Sequence, residues 1–289
     1  MGSRCFAKLL FIGTSRHYSI KESSESAEDF LKGVEARLRT QKYWSGTMGW
    51  ARTQVADEVQ LEARSVPATV GADNILHKLR SREARNVFSG IYEHLLASAN
   101  GTQPRTVLVC SASVGEGGTF VAIGLALAVA EEGARQVLLI DGNLHHPQIC
   151  EVFGVADNVG LGNLLAGSAN IRTAGQRTSI ANLSVMGVGG SLPEYIRALE
   201  PPKFHHLLEE LAARYQFVVV DGPSIQAHPE SLRYAPQVDR VLLVTQAGKT
   251  RVPVLARALA KLSTAGCDKV EFILNRRTFV IPQSIYNKL

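Results

Sequence analysis

Cysteine is scarce: Cys5, Cys110, Cys150 and Cys267 are the only four in 289 residues, and none forms a C-x-x-C pair. That excludes a disulfide scaffold and a cysteine zinc module, and it predicts unpaired thiols in a reducing compartment. No apolar run approaches the roughly 18 to 20 residues that span a bilayer, so no membrane-crossing helix is expected. Lys8 to Ile12 is too short for the apolar core of an export signal, and Phe6 stands where a myristoylation signal needs Ser or Thr. Neither sign of charge dominates: 31 Lys and Arg against 26 Asp and Glu leave +5. These charges are dispersed and read as a solvated surface, so no nucleic-acid partner is expected, although a mildly basic protein sits readily near an anionic membrane. The histidine pairs 145/146 and 205/206 lack Cys or acidic neighbours at ligand spacing, and no metal is expected on them. Ser224 lacks the G-x-S-x-G frame of a nucleophile elbow.

What is present centres on one stretch, RTVLVCSASVGEGGT, from Arg105 to Thr119. Val107 to Cys110 is a short β-branched apolar run, and the Ser/Gly turn after it leads into FVAIGLALAVAEEG, a helix by pattern. Gly115, Gly117 and Gly118 let the backbone curl until its N–H groups point inward, and the dipole of the following helix adds partial positive charge. Such a cup suits an anion, above all a nucleotide phosphate. Ala112 to Thr119 fits the phosphate-loop pattern, with Ala at its first position, everywhere except one place. Gly118 occupies the position of the lysine.

Two further runs end in acid. VLLID and FVVVD are continuous apolar strands of the kind buried on both faces, and they terminate in Asp141 and Asp221. Carboxylates at the C-terminal ends of strands beside a phosphate turn are placed to handle a metal or an attacking group. Other strands are expected at residues 183–188, 241–247 and 270–274. Helices are expected at 81–99 (with Val87, Ile91 and Leu95 on one face), 147–153, 160–167, 201–215, from Pro229, and 250–265. The alternation predicts an α/β fold, a doubly wound and mostly parallel sheet of P-loop NTPase type with the ligand at the strand ends. Residues 81–289 form that domain. Residues 1–80 read as an N-terminal helical and disordered extension: a mobile arm to about residue 24, an amphipathic helix at 26–38, and a linker at 40–71 carrying Trp44 and Trp50.

SASVGEGGT, VLLIDGNLHHP, GLGNLLAG, FVVVDGP and FILNRRTFVIP together resemble the cytoplasmic domain of the bacterial tyrosine kinases of exopolysaccharide synthesis, within the MinD/ParA-type P-loop ATPases. The resemblance runs from about Ser81 to the C-terminus. It implies that Gly115, Glu116, Gly117, Gly118, Thr119 and Phe120 surround the phosphates of ATP or ADP and that Asn275 touches the base. It also implies that Thr119, Asp141 and Asp221 hold Mg²⁺, with Asp141 and Asp221 as the catalytic carboxylates. A membrane polysaccharide copolymerase or chain-length regulator is the implied partner, with a paralogous active kinase or further copies of this chain beside it. The implied location is cytoplasmic, peripheral at the inner face of the cell membrane.

The departures from that family cluster at the chemistry. The loop lysine is Gly118; the family's D-x-D-x-R becomes Asp141, Asn143 and His145; the tyrosine-rich tail is reduced to Tyr286. If Glu83-Ala84 is the family's Glu-Ala, the arginines of ring assembly fall at Asn86 and Ser89. A lost charge-assisted phosphate contact weakens binding by roughly ten- to a hundredfold, and loss of transition-state charge costs about a further hundred- to thousandfold in rate. The expectation is a degenerate regulator that binds Mg²⁺ and nucleotide weakly or not at all. Two alternatives stay open: a working tyrosine kinase or ATPase whose missing charge comes from Lys249, Arg135 or a second subunit, and a MinD/ParA-like positioning switch.

Overall fold

The computed structural model describes residues 6–11, 72–98, 103–189 and 199–276. The helix expected at 26–38, the linker at 40–71 with its two tryptophans, and Tyr286 lie outside the described residues.

The described strands form one sheet. In chain order they are β1 (Phe6–Phe11), β2 (Thr106–Ser111), β3 (Val137–Asp141), β4 (Gln176–Arg177), β5 (Leu183–Met186), β6 (Phe217–Asp221), β7 (Arg240–Gln246) and β8 (Lys269–Asn275). Their spatial order is β1-β8-β7-β2-β6-β3-β5-β4. All neighbours are parallel except β4 and β5. This is the doubly wound architecture expected from the alternating pattern. The loop-bearing β2 lies between β6 and β7, so the chain departs from it toward both sides of the sheet, the arrangement that opens a crevice at the carboxyl ends.

The mobile arm expected before residue 24 is corrected at Phe6–Phe11, which pairs with β8 in parallel register from Phe6↔Lys269 to Phe11↔Leu274. FAKLLF is six residues of mostly apolar chain. That is too short to span a membrane but long enough for an edge strand.

Helices cover both faces, and the strand side chains alternate between two cores. On one face α1 (Ala72–Leu79), α2 (Arg82–Ala97), α3 (Gly118–Glu131) and α4 (Ile149–Phe153) meet Val107, Val109, Leu139, Val219 and Val244. On the other, α5 (Leu161–Leu165), α7 (Pro201–Arg214), α8 (Glu230–Tyr234) and α9 (Val252–Thr264) meet Leu108, Cys110, Ile140, Val220 and Leu243, with the short α6 (Ile171–Ala174) at the margin. Period-2 alternation of fully apolar strands between two cores is what a sheet buried on both faces requires.

Helix α3 reads GTFVAIGLALAVAE, apolar all round, and every residue from Val121 to Ala130 is buried. A helix of that composition must be sandwiched, and here it lies between the sheet and α2. The buried stripe of α2 is Phe88, Ile91, Tyr92 and Leu95. Val87, expected on that face, is only half-buried. Ser81 starts the helix, its hydroxyl accepting from the Ala84 N–H at 3.2 Å. The close fit of α2 on α3 depends on Gly124, where an added Cβ would lie 2.3 Å from the Phe88 ring.

Candidate nucleotide site

The turn between β2 and α3 keeps the cupped shape of a phosphate loop without the lysine. Gly115 and Gly117 have φ of 81° and 92°, the left-handed region that favours glycine. Gly117 is the N-cap of α3. The N–H groups of Gly118, Thr119 and Phe120 therefore belong to a first helical turn, where no carbonyl within the helix can accept from them. Left-handed turns and a free helix start are the backbone features of concavities that bind anions in general. At Gly118 a Cβ would meet nothing nearer than Ser111 N at 3.7 Å, so the backbone has room for a side chain there.

The loop is braced from inside. The Glu116 side chain is buried and accepts from the Ser113 N–H at 2.8 Å and from the Thr250 hydroxyl. Burial raises its pKa, while the bonds from Thr250 and Ser113 and the charge of Lys249 act the other way. Asn275, at the end of β8, donates from Nδ2 to the Glu116 carbonyl at 2.8 Å and accepts from the Arg276 N–H at 2.8 Å. A Cβ on Gly117 would lie 2.3 Å from Asn275 Nδ2. In this conformation Asn275 is 5% exposed and both ends of its amide are engaged, so it holds the loop. Arg276 follows with a left-handed φ of 55°, an uncommon conformation for a side-chain-bearing residue.

Across the crevice, Asp141 and Asp221 face each other in the β3–β6 register, each 1% exposed. Gly142 permits the approach: its N–H donates to the Asp221 carbonyl at 2.8 Å, and a Cβ would lie 2.9 Å from that oxygen. The two carboxylates have different surroundings. Asp141 accepts from the N–H groups of Asn143 at 3.1 Å, Gln148 at 2.9 Å and Ile149 at 3.0 Å, and so shapes the loop that follows β3. Desolvation still pushes its pKa up to about 6. Asp221 is raised well above the ordinary value by burial and by Asp141, opposed by a hydrogen bond with the Thr119 side chain. Its Oδ1 is buried with no hydrogen-bond partner. Two buried carboxyl groups, one of them with an orphaned oxygen, and a hydroxyl are hard oxygen donors of the kind that suits Mg²⁺. Thr119 and Asp221 would be its direct ligands, with Asp141 beside them.

Of the two cations offered as substitutes for the loop lysine, only one lies at this end of the sheet. Lys249 is exposed and close enough to Glu116 to act on its charge. Arg135 precedes β3, bonding Gln103 at 2.8 Å and lying over the Tyr92 ring. It is thus at the opposite end from the loop, and its candidacy is corrected on that ground.

A second correction concerns histidine. His145 comes together with His228 and Glu230, their ligand atoms all within 4.8 Å of one another. The expectation of no acidic neighbour fails for both pairs: the partners of His145 arrive from the segment after β6, far away in sequence, and those of His205 and His206 lie one helical turn on. His205 and His206 pair instead with Glu209 and Glu210 on the exposed face of α7. No helix among the described residues is long and apolar enough to cross a membrane.

No protein-family model matches this chain. Among curated relatives, it is 30% identical over 173 residues to the tyrosine-protein kinase YwqD of Bacillus subtilis, covering 60% of this chain and 73% of that protein. It is 26% identical over 178 residues to the tyrosine-protein kinase CpsD of Streptococcus pneumoniae, covering 61% of this chain and 78% of the relative. Among solved structures, the VpsO kinase domain is 33% identical with a TM-score of 0.62, covering 70% of this chain and 98% of that one. The septum site-determining protein MinD of Pyrococcus horikoshii, complexed with Mg-ADP, is 26% identical with a TM-score of 0.52, over 63% of this chain and 76% of that one. With 30% identity over 73% of YwqD and 33% identity over 98% of the VpsO kinase domain, this chain belongs to the family of bacterial tyrosine-protein kinases.

Proposed function

We propose that this chain is a catalytically degenerate regulator of exopolysaccharide synthesis or export, acting at the inner face of the membrane on a polysaccharide copolymerase. The observation that carries this reading is Gly118: the loop keeps its glycine geometry, its inner brace and its acid pair, and lacks the one side chain that would place positive charge on a transferring phosphoryl group. The free N–H groups at the start of α3 support retained phosphate binding. Mg²⁺, when bound, supplies charge neutralisation on the phosphate oxygens. Thr119 and Asp221 would hold it, and Asp141 shapes the loop after β3 beside them. Binding weaker than in a lysine-bearing loop by roughly ten- to a hundredfold follows from the missing charge-assisted contact.

Proximity of Lys249 to Glu116 favours a second reading, in which that lysine supplies the missing charge and the protein is an active tyrosine kinase or ATPase. Calorimetric titration of Mg·ATP and Mg·ADP into wild type and Gly118→Lys, with a phosphotyrosine blot after Mg·ATP, separates the two. The regulator reading expects weak or absent binding, a gain of roughly tenfold or more in the variant, and no wild-type phosphotyrosine. Strong wild-type autophosphorylation that disappears in Lys249→Ala establishes the second reading instead.

A further inference from the structure

We propose that His145, His228 and Glu230 form a binding site for a divalent transition-metal ion of the zinc type, between the loops that follow β3 and β6. Each loop leaves the carboxyl end of its strand: His145 follows Asp141, while His228 and Glu230 follow Asp221. His145 Nε2 lies 3.2 Å from Glu230 Oε1, and the His145 and His228 rings stack with centroids 3.5 Å apart and planes 11° apart, so one ring must turn about its side-chain bonds for both nitrogens to face a single ion. Zinc ligands about 2.0 to 2.1 Å from a tetrahedral ion stand roughly 3.3 to 3.4 Å from one another, close to the spacing of that nitrogen and oxygen.

The second observation is Glu230 itself. It is 4% exposed, and its Oε2 is buried with no hydrogen-bond partner. A hydrogen bond from His145 accounts for one oxygen and leaves the other as a buried, unmatched acceptor, an arrangement that an ion relieves. Two imidazoles and one carboxylate select zinc, nickel or cobalt over Mg²⁺, because nitrogen donors suit the softer ions. Three protein ligands leave the fourth position to water. Both histidines are partly exposed, which gives the ion a path from solvent.

The test uses the full chain stripped with a chelator and titrated with Zn²⁺ against a chromophoric competitor. One equivalent is expected to bind with micromolar or tighter Kd. Glu230→Gln and His228→Ala should each weaken binding at least tenfold, and a His205→Ala/His206→Ala variant should leave it unchanged. Co²⁺ added to the wild type should give the visible absorption of a four-coordinate nitrogen and oxygen site, a readout that needs no variant to fold. Absence of stoichiometric binding overturns the proposal. So do affinities indifferent to Glu230→Gln and His228→Ala, loss of binding in the 205/206 variant, or a thiolate charge-transfer band with Co²⁺.

Discussion

Asp221 is buried opposite Asp141 and its Oδ1 has no hydrogen-bond partner, so its charged form is unfavourable until a cation arrives. Replacing it by Asn removes that charge while keeping the shape. The expected outcome is a metal-free protein whose Tm rises by about 2 °C or more, together with loss of any Mg²⁺-dependent gain in nucleotide affinity. A fall in Tm would mean that the carboxylate is stabilising as it stands. The same residues set the pH dependence. The folded pKa of Asp141 is about 6 and that of Asp221 is also raised well above the ordinary value, against unfolded carboxylates near 3.9. The folded state therefore holds more protons than the unfolded state across this range, and stability falls as pH rises from about 4 through about 6. Thermal melts of wild type without Mg²⁺ should show that decline, it should be shallower in Asp221→Asn, and Mg²⁺ with nucleotide should offset it above pH 6.

Three glycines of the loop and α3 stand in different surroundings, and alanine substitution distinguishes them. Gly117→Ala forces a side chain into left-handed backbone and against Asn275, so a loss of about 1 to 3 kcal/mol is expected. Gly118→Ala adds a methyl group where the nearest atom is 3.7 Å away, and a gain of about 0.4 to 1 kcal/mol is expected from the stiffened unfolded chain. Gly124→Ala drives a Cβ into the Phe88 ring and should cost about 1 to 3 kcal/mol as α2 is pushed from α3. Urea titrations of the three variants read these differences directly. Equal effects at 117 and 118 would mean that the loop does not hold the conformation described. The apolar α3 and the acid-ended β3 and β6 were legible in the sequence because each is a local pattern. The bracing of the loop by Asn275 and Thr250 was not, because those residues reach Glu116 from strands and turns more than a hundred positions away.

For the molecule as a whole, the sheet's order leaves β8 covered on one side by β7 and on the other by β1, the strand most distant from it in sequence. Deleting residues 1–11 turns β8 into an edge with unpaired backbone groups. Hydrogen exchange is expected to accelerate in β8 and to stay slow in β2 and β6 at the centre of the sheet. Unchanged protection of β8 would show that β1 contributes nothing to the sheet in solution.

Local pattern in the sequence determined the strand-loop-helix at residues 105–131, the acid-terminated strands, the doubly wound class and the missing loop lysine. Each follows from periodicity or from residue type at a fixed spacing, which the chain carries whatever its surroundings. Only the tertiary structure decided that Phe6–Phe11 is a strand, that Asn275 braces the loop, that Arg135 lies at the wrong end, and that His145 meets His228 and Glu230. Those contacts join segments far apart in sequence, and strand order sets their proximity, which no single stretch encodes.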